Sequence, residues 1–158
     1  MQARDLRVFL GHQSVGQNVV DGILRYHPSC APQPATGALP ARGGVLLHRR
    51  IGENGRPRSK IDDFVAQLET APGETLDLAL MKLCYVDIVA DTDLDRLLRH
   101  YDRAVAYLRT RYPELHLAHI GVPVRRMPVG LRAGARRLLL RPEHALRDNR
   151  ARCRFNQA

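Results

Sequence analysis

An apolar run near the middle of the chain constrains the fold more than any other feature of the sequence. Residues 75–84 read Thr-Leu-Asp-Leu-Ala-Leu-Met-Lys-Leu-Cys, in which only two positions carry a charge. A run of this kind is typical of a strand that is covered on both faces. Parallel sheets bury strands in this way, because the helices that connect the strands pack on both sides. We therefore predict that residues 75–84 form an inner strand of a parallel sheet.

Strand patterns and helix patterns alternate on either side of this run. Short apolar segments that predict further strands are Leu6–Leu10, Val45–His48 and Leu115–Val122. Helical periodicity lies between them, after Gly16, from a capping box at Ser59–Asp62 to about Ala71, and from Thr92 or Asp93 to Pro113. Residues 28–44 hold four prolines and three glycines, which predicts a loop. Strands that alternate with helices in this way indicate right-handed βαβ units.

Length and composition fit one domain of the α/β class. The chain has 158 residues, of which 44% are hydrophobic. We assign residues 1–124 to the α/β part and residues 125–158 to an arginine-rich, partly helical C-terminal segment of the same domain. Cys30, Cys84 and Cys153 are widely spaced and odd in number, which favours a reducing, cytoplasmic setting, no metal site and a buried structural role for Cys84. No apolar run reaches the length of a membrane span.

The positive charge is concentrated in the C-terminal segment. The formal net charge is +9, and residues 125–158 contain ten arginines against Glu143 and Asp148. Residues 1–124 are therefore nearly neutral. Aromatic residues do not alternate with these arginines, which makes nucleic acid an unlikely partner. We interpret the arginines as a solvated or partner-covered surface, and arginine-mediated binding of an anionic partner stays as an alternative.

Candidate site residues follow from the strand ends, because ligands bind at the carboxyl ends of parallel strands. These ends are the predicted loop Gly11–Gly16, the segment Cys84–Asp87 and the segment after His119. Ser14 lies between glycines at the start of a helix, where backbone N–H groups favour a developing negative charge. The glycine spacing of this loop matches a P-loop, but Gln17 and Asn18 follow where Lys and Ser or Thr are needed.

Three segments together resemble a known group of enzymes. They are Gly11–Gly16 (Gly-His-Gln-Ser-Val-Gly), residues 51–64 (Ile-Gly-Glu-Asn-Gly-Arg-Pro-Arg-Ser-Lys-Ile-Asp-Asp-Phe) and residues 80–88 (Leu-Met-Lys-Leu-Cys-Tyr-Val-Asp-Ile). In this order they resemble the conserved blocks of an uncharacterised branch of the SGNH/GDSL hydrolase superfamily. The resemblance implies a flavodoxin-like three-layer α/β/α fold. It also implies hydrolysis of a small-molecule acyl ester, such as a lipid or an acetylated sugar, without a cofactor or a metal.

The resemblance assigns roles to individual residues. Ser14 matches the nucleophile, and its own backbone N–H belongs to the oxyanion hole. Gly55 matches the glycine that donates a second backbone N–H, and Asn54 beside it is a candidate side-chain donor. The third block departs from the usual Gly-x-Asn-Asp and reads Leu83-Cys-Tyr-Val-Asp. The Asp-x-x-His block that supplies the base in this superfamily is absent from these residues, and one interpretation is truncation at the C-terminus.

Five further residues are candidates for supporting roles. His48 and His119 lie near strand ends and are candidate replacement bases, with a buried structural histidine as the alternative. His12 is either a substrate-positioning residue or a solvated turn histidine. Lys82 and Asp87 flank the end of a buried strand and are interpreted mainly as an ion pair. The sequence therefore supports an ester hydrolase, with a catalytically silent binding module as the alternative, and it indicates no oligomeric state.

Overall fold

The structure is a computed structural model that describes residues 6–26, 33–35, 44–70, 75–126 and 143–158, without the side chains of Ser14 and Glu143. Five strands are present in these ranges: β1 (Arg7–His12), β2 (Gln33–Pro34), β3 (Val45–Arg50), β4 (Leu78–Lys82) and β5 (His116–Ile120). Four helices accompany them: α1 (Ser14–Tyr26), α2 (Pro57–Thr70), α3 (Leu94–Arg111) and α4 (Glu143–Gln157). The predicted alternation of strands and helices is confirmed.

The strands form one parallel sheet with the order β2-β3-β1-β4-β5. β1 lies in the middle and pairs with β3 on one side and with β4 on the other. When the two-residue edge strand β2 is left aside, the order is second, first, third, fourth along the chain. That is the order of flavodoxin-like sheets, in which the ligand crevice lies at the carboxyl ends of the strands.

Helices cover both faces of the sheet, so the predicted three-layer α/β/α architecture is confirmed. On one face the ring of Phe9 packs against Phe64 of α2, with 5.9 Å between the ring centroids. The same face buries Leu97 and Leu108 of α3 and Phe155 of α4 in the hydrophobic core. On the other face Val20 of α1 is buried and Gly16 lies directly against the side chain of His12.

Three predicted boundaries near the candidate site are wrong. β1 continues to His12, so the predicted loop Gly11–Gly16 is reduced to Gln13 between a strand and a helix. α2 begins at Pro57 and not at a capping box, since proline suits the first helical position. The Ser59 hydroxyl instead accepts from the Glu53 N–H and donates to the Arg56 carbonyl oxygen. Residues 33–34 were predicted as part of a loop, but they form the edge strand β2. The predicted start of α3 is confirmed, since Asp93 is its N-cap.

The C-terminal segment packs on the rest of the chain through α4, which confirms that this segment is partly helical. Arg152 departs from the predicted solvated surface because it is buried, whereas Arg154 is exposed and pairs with Asp95. The predictions for Cys30 and for the arginines of residues 127–142 lie outside the described residues. Among the helices of the described ranges, none is both long and apolar enough to cross a membrane.

Two glycines of α1 allow a matched test of the packing between α1 and β1. A Cβ at Gly16 would lie 2.2 Å from the Cβ of His12, whereas a Cβ at Gly22 meets nothing within 4 Å. We expect Gly16→Ala to lower the free energy of unfolding by about 1–3 kcal/mol, as overpacking does. Gly22→Ala should raise it by about 0.5–1 kcal/mol through helix propensity. Urea denaturation of both variants measures the difference, and equal effects would contradict the packing of α1 on His12.

Candidate functional site

Gln13 connects the end of β1, the start of α1 and the loop of residues 51–56. Its carbonyl oxygen accepts from the N–H groups of Gly16 at 2.8 Å and Gln17 at 3.2 Å, which makes Gln13 the residue that precedes the helix. Its side-chain amide donates to the carbonyl oxygens of Ile51 and Gly52 at 2.8 and 2.7 Å. The first and second segments of the resemblance are therefore hydrogen-bonded to each other at the carboxyl edge of the sheet.

Ser14 is the first residue of α1 and follows the central strand by one residue. The first N–H groups of a helix have no partner within the helix, and the helix dipole adds positive potential at this end. A negatively charged oxygen is stabilised at such a position. Gln13, and not Ser14, holds the N-cap position of α1.

His12 is fully buried, so the prediction of a solvated turn histidine is wrong. Its Nδ1 lies 2.9 Å from the Gln13 carbonyl oxygen, and its Nε2 lies 3.1 Å from Nδ1 of His48. The two rings stack with their centroids 5.3 Å apart. A carbonyl oxygen only accepts, so Nδ1 of His12 carries a proton, and when that ring holds a single proton its Nε2 is an acceptor. Nδ1 of His48 is then the donor between the two rings, and in the neutral form of His48 its Nε2 is unprotonated.

The surroundings of His48 favour this neutral form. Burial lowers the pKa of His48 below its ordinary value of 6.5, and the neighbouring His12 lowers it further, against an opposing effect of Asp21. His48 is only partly buried. Among the described residues Nε2 of His48 has no hydrogen-bond partner. A partly exposed imidazole with an unprotonated Nε2 can accept a proton at neutral pH.

A buried ion pair connects α2 with the segment that follows β4. Nζ of Lys60 lies 2.6 Å from Oδ2 of Asp87, and both side chains are 0% exposed. The same ammonium donates to Oδ1 of Asn54 at 2.9 Å. Asp87 also accepts from the N–H groups of Gly55 at 2.9 Å and Cys84 at 2.6 Å. The second and third segments of the resemblance therefore meet at this carboxylate.

The prediction that Lys82 pairs with Asp87 is wrong. Nζ of Lys82 donates to the carbonyl oxygen of Leu83 at 3.3 Å, while Asp87 takes Lys60 as its partner. Lys82 lies in β4 at the position beside Ile120, where strand alternation puts it on the sheet face opposite to Met81. α2 packs on the Met81 face, so its Lys60 reaches Asp87 in the loop beyond the strand.

Gly55 and Asn54 are both exposed, but they make different contacts. The N–H of Gly55 already donates to Asp87, and the φ of +80° at Gly55 lies in the left-handed region that favours glycine. These two facts give the glycine a structural reason apart from an oxyanion hole. Asn54 is exposed, although its Oδ1 is held by Lys60.

His119 lies far from the arrangement around β1. It belongs to the edge strand β5 and pairs in register with Met81, so it faces α3 and α4 and not α1. Its ring contacts Tyr101 and Phe155, each at a centroid distance of 5.5 Å. Neither ring nitrogen has a hydrogen-bond partner among the described residues. The position fits the alternative of a buried structural histidine and does not fit a base for Ser14.

α4 fixes the loop that carries Asp87. Nε of Arg152 donates to the carbonyl oxygens of Tyr85 and Ile88, both at 3.0 Å. Asp148 of the same helix accepts from the N–H of Ala90 at 2.8 Å. Cys84 at the start of this loop is buried, as predicted. The arginine-rich C-terminal helix is therefore a support for the carboxyl edge of the sheet.

The sequence interpretation missed Gln13 and Lys60. A signal for Lys60 was present, since the chain has 23 arginines and only two lysines, and Lys60 falls beside the apolar stripe of its helix. No comparable signal marked Gln13. Within the described ranges no three histidine, cysteine or acidic side chains come together as metal ligands.

His119 predicts a pH dependence of stability. Burial and the nearby Lys82 lower the pKa of His119 to about 4, from 6.5 in the unfolded chain. The unfolded state therefore binds a proton more readily, so this contribution is complete above pH 6.5 and is lost as the pH falls towards 4. We expect His119→Phe to lose less stability than the wild type over this range in urea denaturation. Parallel pH curves for the two proteins would contradict a neutral buried His119.

Comparison of the chain with protein families, with curated proteins and with solved structures finds no match. The geometry of the residues themselves therefore carries the functional argument.

Proposed function

We propose that this protein is a serine ester hydrolase in which Ser14 is the nucleophile and His48 is the base. The observation that carries the proposal is the His12–His48 pair, because its hydrogen bonds, with both rings neutral, put the free lone pair on Nε2 of His48. His12 lies against Gly16 in the first turn of the helix that Ser14 begins. A serine is a weak nucleophile without a base, and this pair supplies one on the same face of the sheet.

The proposed reaction has two acyl-transfer steps. The Ser14 oxygen bonds to the ester carbonyl carbon while its proton passes to Nε2 of His48, directly or through one water. The carbonyl electron pair moves to oxygen, and first-turn N–H groups of α1 stabilise the resulting oxyanion. The intermediate collapses, the carbon–oxygen bond to the alcohol breaks, and His48 returns the proton to the leaving alcohol. Water then repeats the sequence on the acyl-enzyme, releases the acid and restores Ser14.

The orienting part of this arrangement is a backbone carbonyl and a second histidine. In serine hydrolases a carboxylate commonly fixes the tautomer of the base. Here the Gln13 carbonyl fixes His12, and His12 fixes His48. The resemblance described above supplies the substrate class, an acyl ester of a small molecule. The supporting geometry is thus independent of the Asp-x-x-His block that this sequence lacks.

A fluorophosphonate probe tests the nucleophile. We expect stoichiometric labelling of Ser14, located by peptide mass spectrometry, and complete loss of labelling in Ser14→Ala. Hydrolysis of a short-chain p-nitrophenyl ester should fall by about 10³-fold or more in the same variant. Thr110→Ala is the control and should keep both signals, since the Thr110 hydroxyl is exposed on α3 and donates to the Ala106 carbonyl oxygen of the same helix. Absence of labelling in the wild type would support the silent binding module instead.

The base predicts a specific pH profile. His48→Gln should lower kcat/KM by about 10²–10⁴-fold while Ser14 stays in place. In the wild type, activity should fall as the pH drops through the His48 pKa. Burial and His12 lower this pKa despite Asp21, so the acidic midpoint of kcat/KM should lie below pH 6.5. A midpoint at 6.5 or above, or a profile unchanged in His48→Gln, would exclude His48 as the base.

A further inference from the structure

The orientation of the Asn54 side chain is determined by its contact with Lys60. An ammonium group donates only, so the Asn54 atom at 2.9 Å from Nζ must be the amide oxygen. The amide nitrogen, with its two N–H groups, is thereby turned away from Lys60. Asn54 is exposed, and among the described residues its Nδ2 has no hydrogen-bond partner. The side chain therefore presents two oriented donors at the surface.

The loop that carries Asn54 is anchored on both sides. On one side, the side-chain amide of Gln13 donates to the carbonyl oxygens of Ile51 and Gly52. Gln13 is the residue directly before Ser14 in the chain. Asp87 holds the N–H of Gly55 on the other side. The Asn54 donors thus project from a loop that is bonded to the start of α1. Preorganised donors are what stabilise the oxyanion of a tetrahedral intermediate.

The ion pair between Lys60 and Asp87 is fully buried, which is a costly environment for two charges. Apolar residues of similar volume commonly replace a buried ion pair without loss of stability. Among the described residues, the Lys60 ammonium makes one hydrogen bond besides the ion pair, and its acceptor is the Asn54 amide oxygen. Asp87 in turn fixes Lys60 and takes the N–H of Gly55, which removes that N–H from the set of available donors.

We propose that the Asn54 side-chain amide, and not the Gly55 N–H, is the second oxyanion donor, with Lys60 as the residue that positions it. The inference rests on the proposed hydrolase function. Lys60 touches no substrate in this scheme and acts only through the Asn54 oxygen.

Asn54→Asp tests the donor with little change of shape. The carboxylate still accepts from Lys60, but it donates nothing and repels an oxyanion. We expect kcat for the p-nitrophenyl ester to fall by about 10²–10³-fold with KM within roughly twofold of the wild type. Gln157→Glu, the same amide-to-acid change at an exposed position of α4, should leave kcat unchanged. Unchanged kcat in Asn54→Asp, with Ser14 still labelled by the fluorophosphonate, would overturn the inference.

A mutant cycle tests whether Lys60 acts through Asn54. Lys60→Met alone leaves Asp87 buried without its counter-charge, so the double variant Lys60→Met/Asp87→Asn is used. We expect the double variant to lower kcat by about tenfold or more in the wild-type background and to have almost no further effect in an Asn54→Ala background. Multiplicative effects would show that Lys60 supports the fold in general and would overturn its positioning role.

A readout without turnover separates this inference from the proposed function. The signal of the Asn54 side-chain amide is assigned by its absence from the spectrum of Asn54→Asp. Its ¹⁵N relaxation should give an order parameter of about 0.85 in the wild type, as in a rigid segment. It should fall below about 0.6 in Lys60→Met/Asp87→Asn. Equal mobility in both proteins would overturn the positioning role, whether or not Ser14 reacts. If the wild type is not labelled, the donor role falls together with the hydrolase function, and the relaxation data still decide the orientation of Asn54.

Discussion

The carboxylate of Asp87 is the point at which the carboxyl edge of the sheet is held together. It accepts from the ammonium of Lys60 on α2, from the N–H of Gly55 in the preceding loop and from the N–H of Cys84 in its own loop. Charged hydrogen bonds of this kind are stronger than neutral ones, and burial strengthens them further. Loss of one partner would leave an uncompensated charge in the interior, which costs about 3–5 kcal/mol. The loops on both sides therefore depend on a single side chain.

The other elements of the site are attached to this point step by step. Gln13 ties the loop of residues 51–56 to the start of α1, and Gly16 lets the first turn of α1 pack directly on His12. His12 then fixes the tautomer of His48. On the far side, Arg152 of α4 holds the Asp87 loop through two carbonyl oxygens. The arginine-rich helix α4 therefore contributes to the site by holding the loop that carries Asp87.

Much of the fold could be predicted from the sequence, because its periodicities are strong. The apolar run around β4 and the helix that begins after Asp93 were located to within a few residues. Boundaries failed where side chains compete for backbone groups. The Ser59 hydroxyl bonds to the turn that precedes it, so it does not cap α2, although Ser59–Asp62 fits the capping pattern. The predicted end of β1 is wrong because Gly11 and His12, which have the sequence of a turn, are extended and pair with β3, and Gly11 also pairs with β4.

The sequence by itself determined that this chain folds as a parallel α/β sheet. It also determined that Gly11–Gly16, Cys84–Asp87 and the residues after His119 follow strands and so lie towards the carboxyl edge. Hydrophobic periodicity is a local property, and the ends of parallel strands meet at one edge. Only the tertiary structure decided that Asp87 pairs with Lys60 and not with Lys82, and that His12 is buried against His48. Such pairings depend on the face of the strand or helix on which each side chain lies and on the distance between the elements. A one-residue difference in a strand boundary reverses that face, so the partners of charged side chains become definite only when the sheet is assembled.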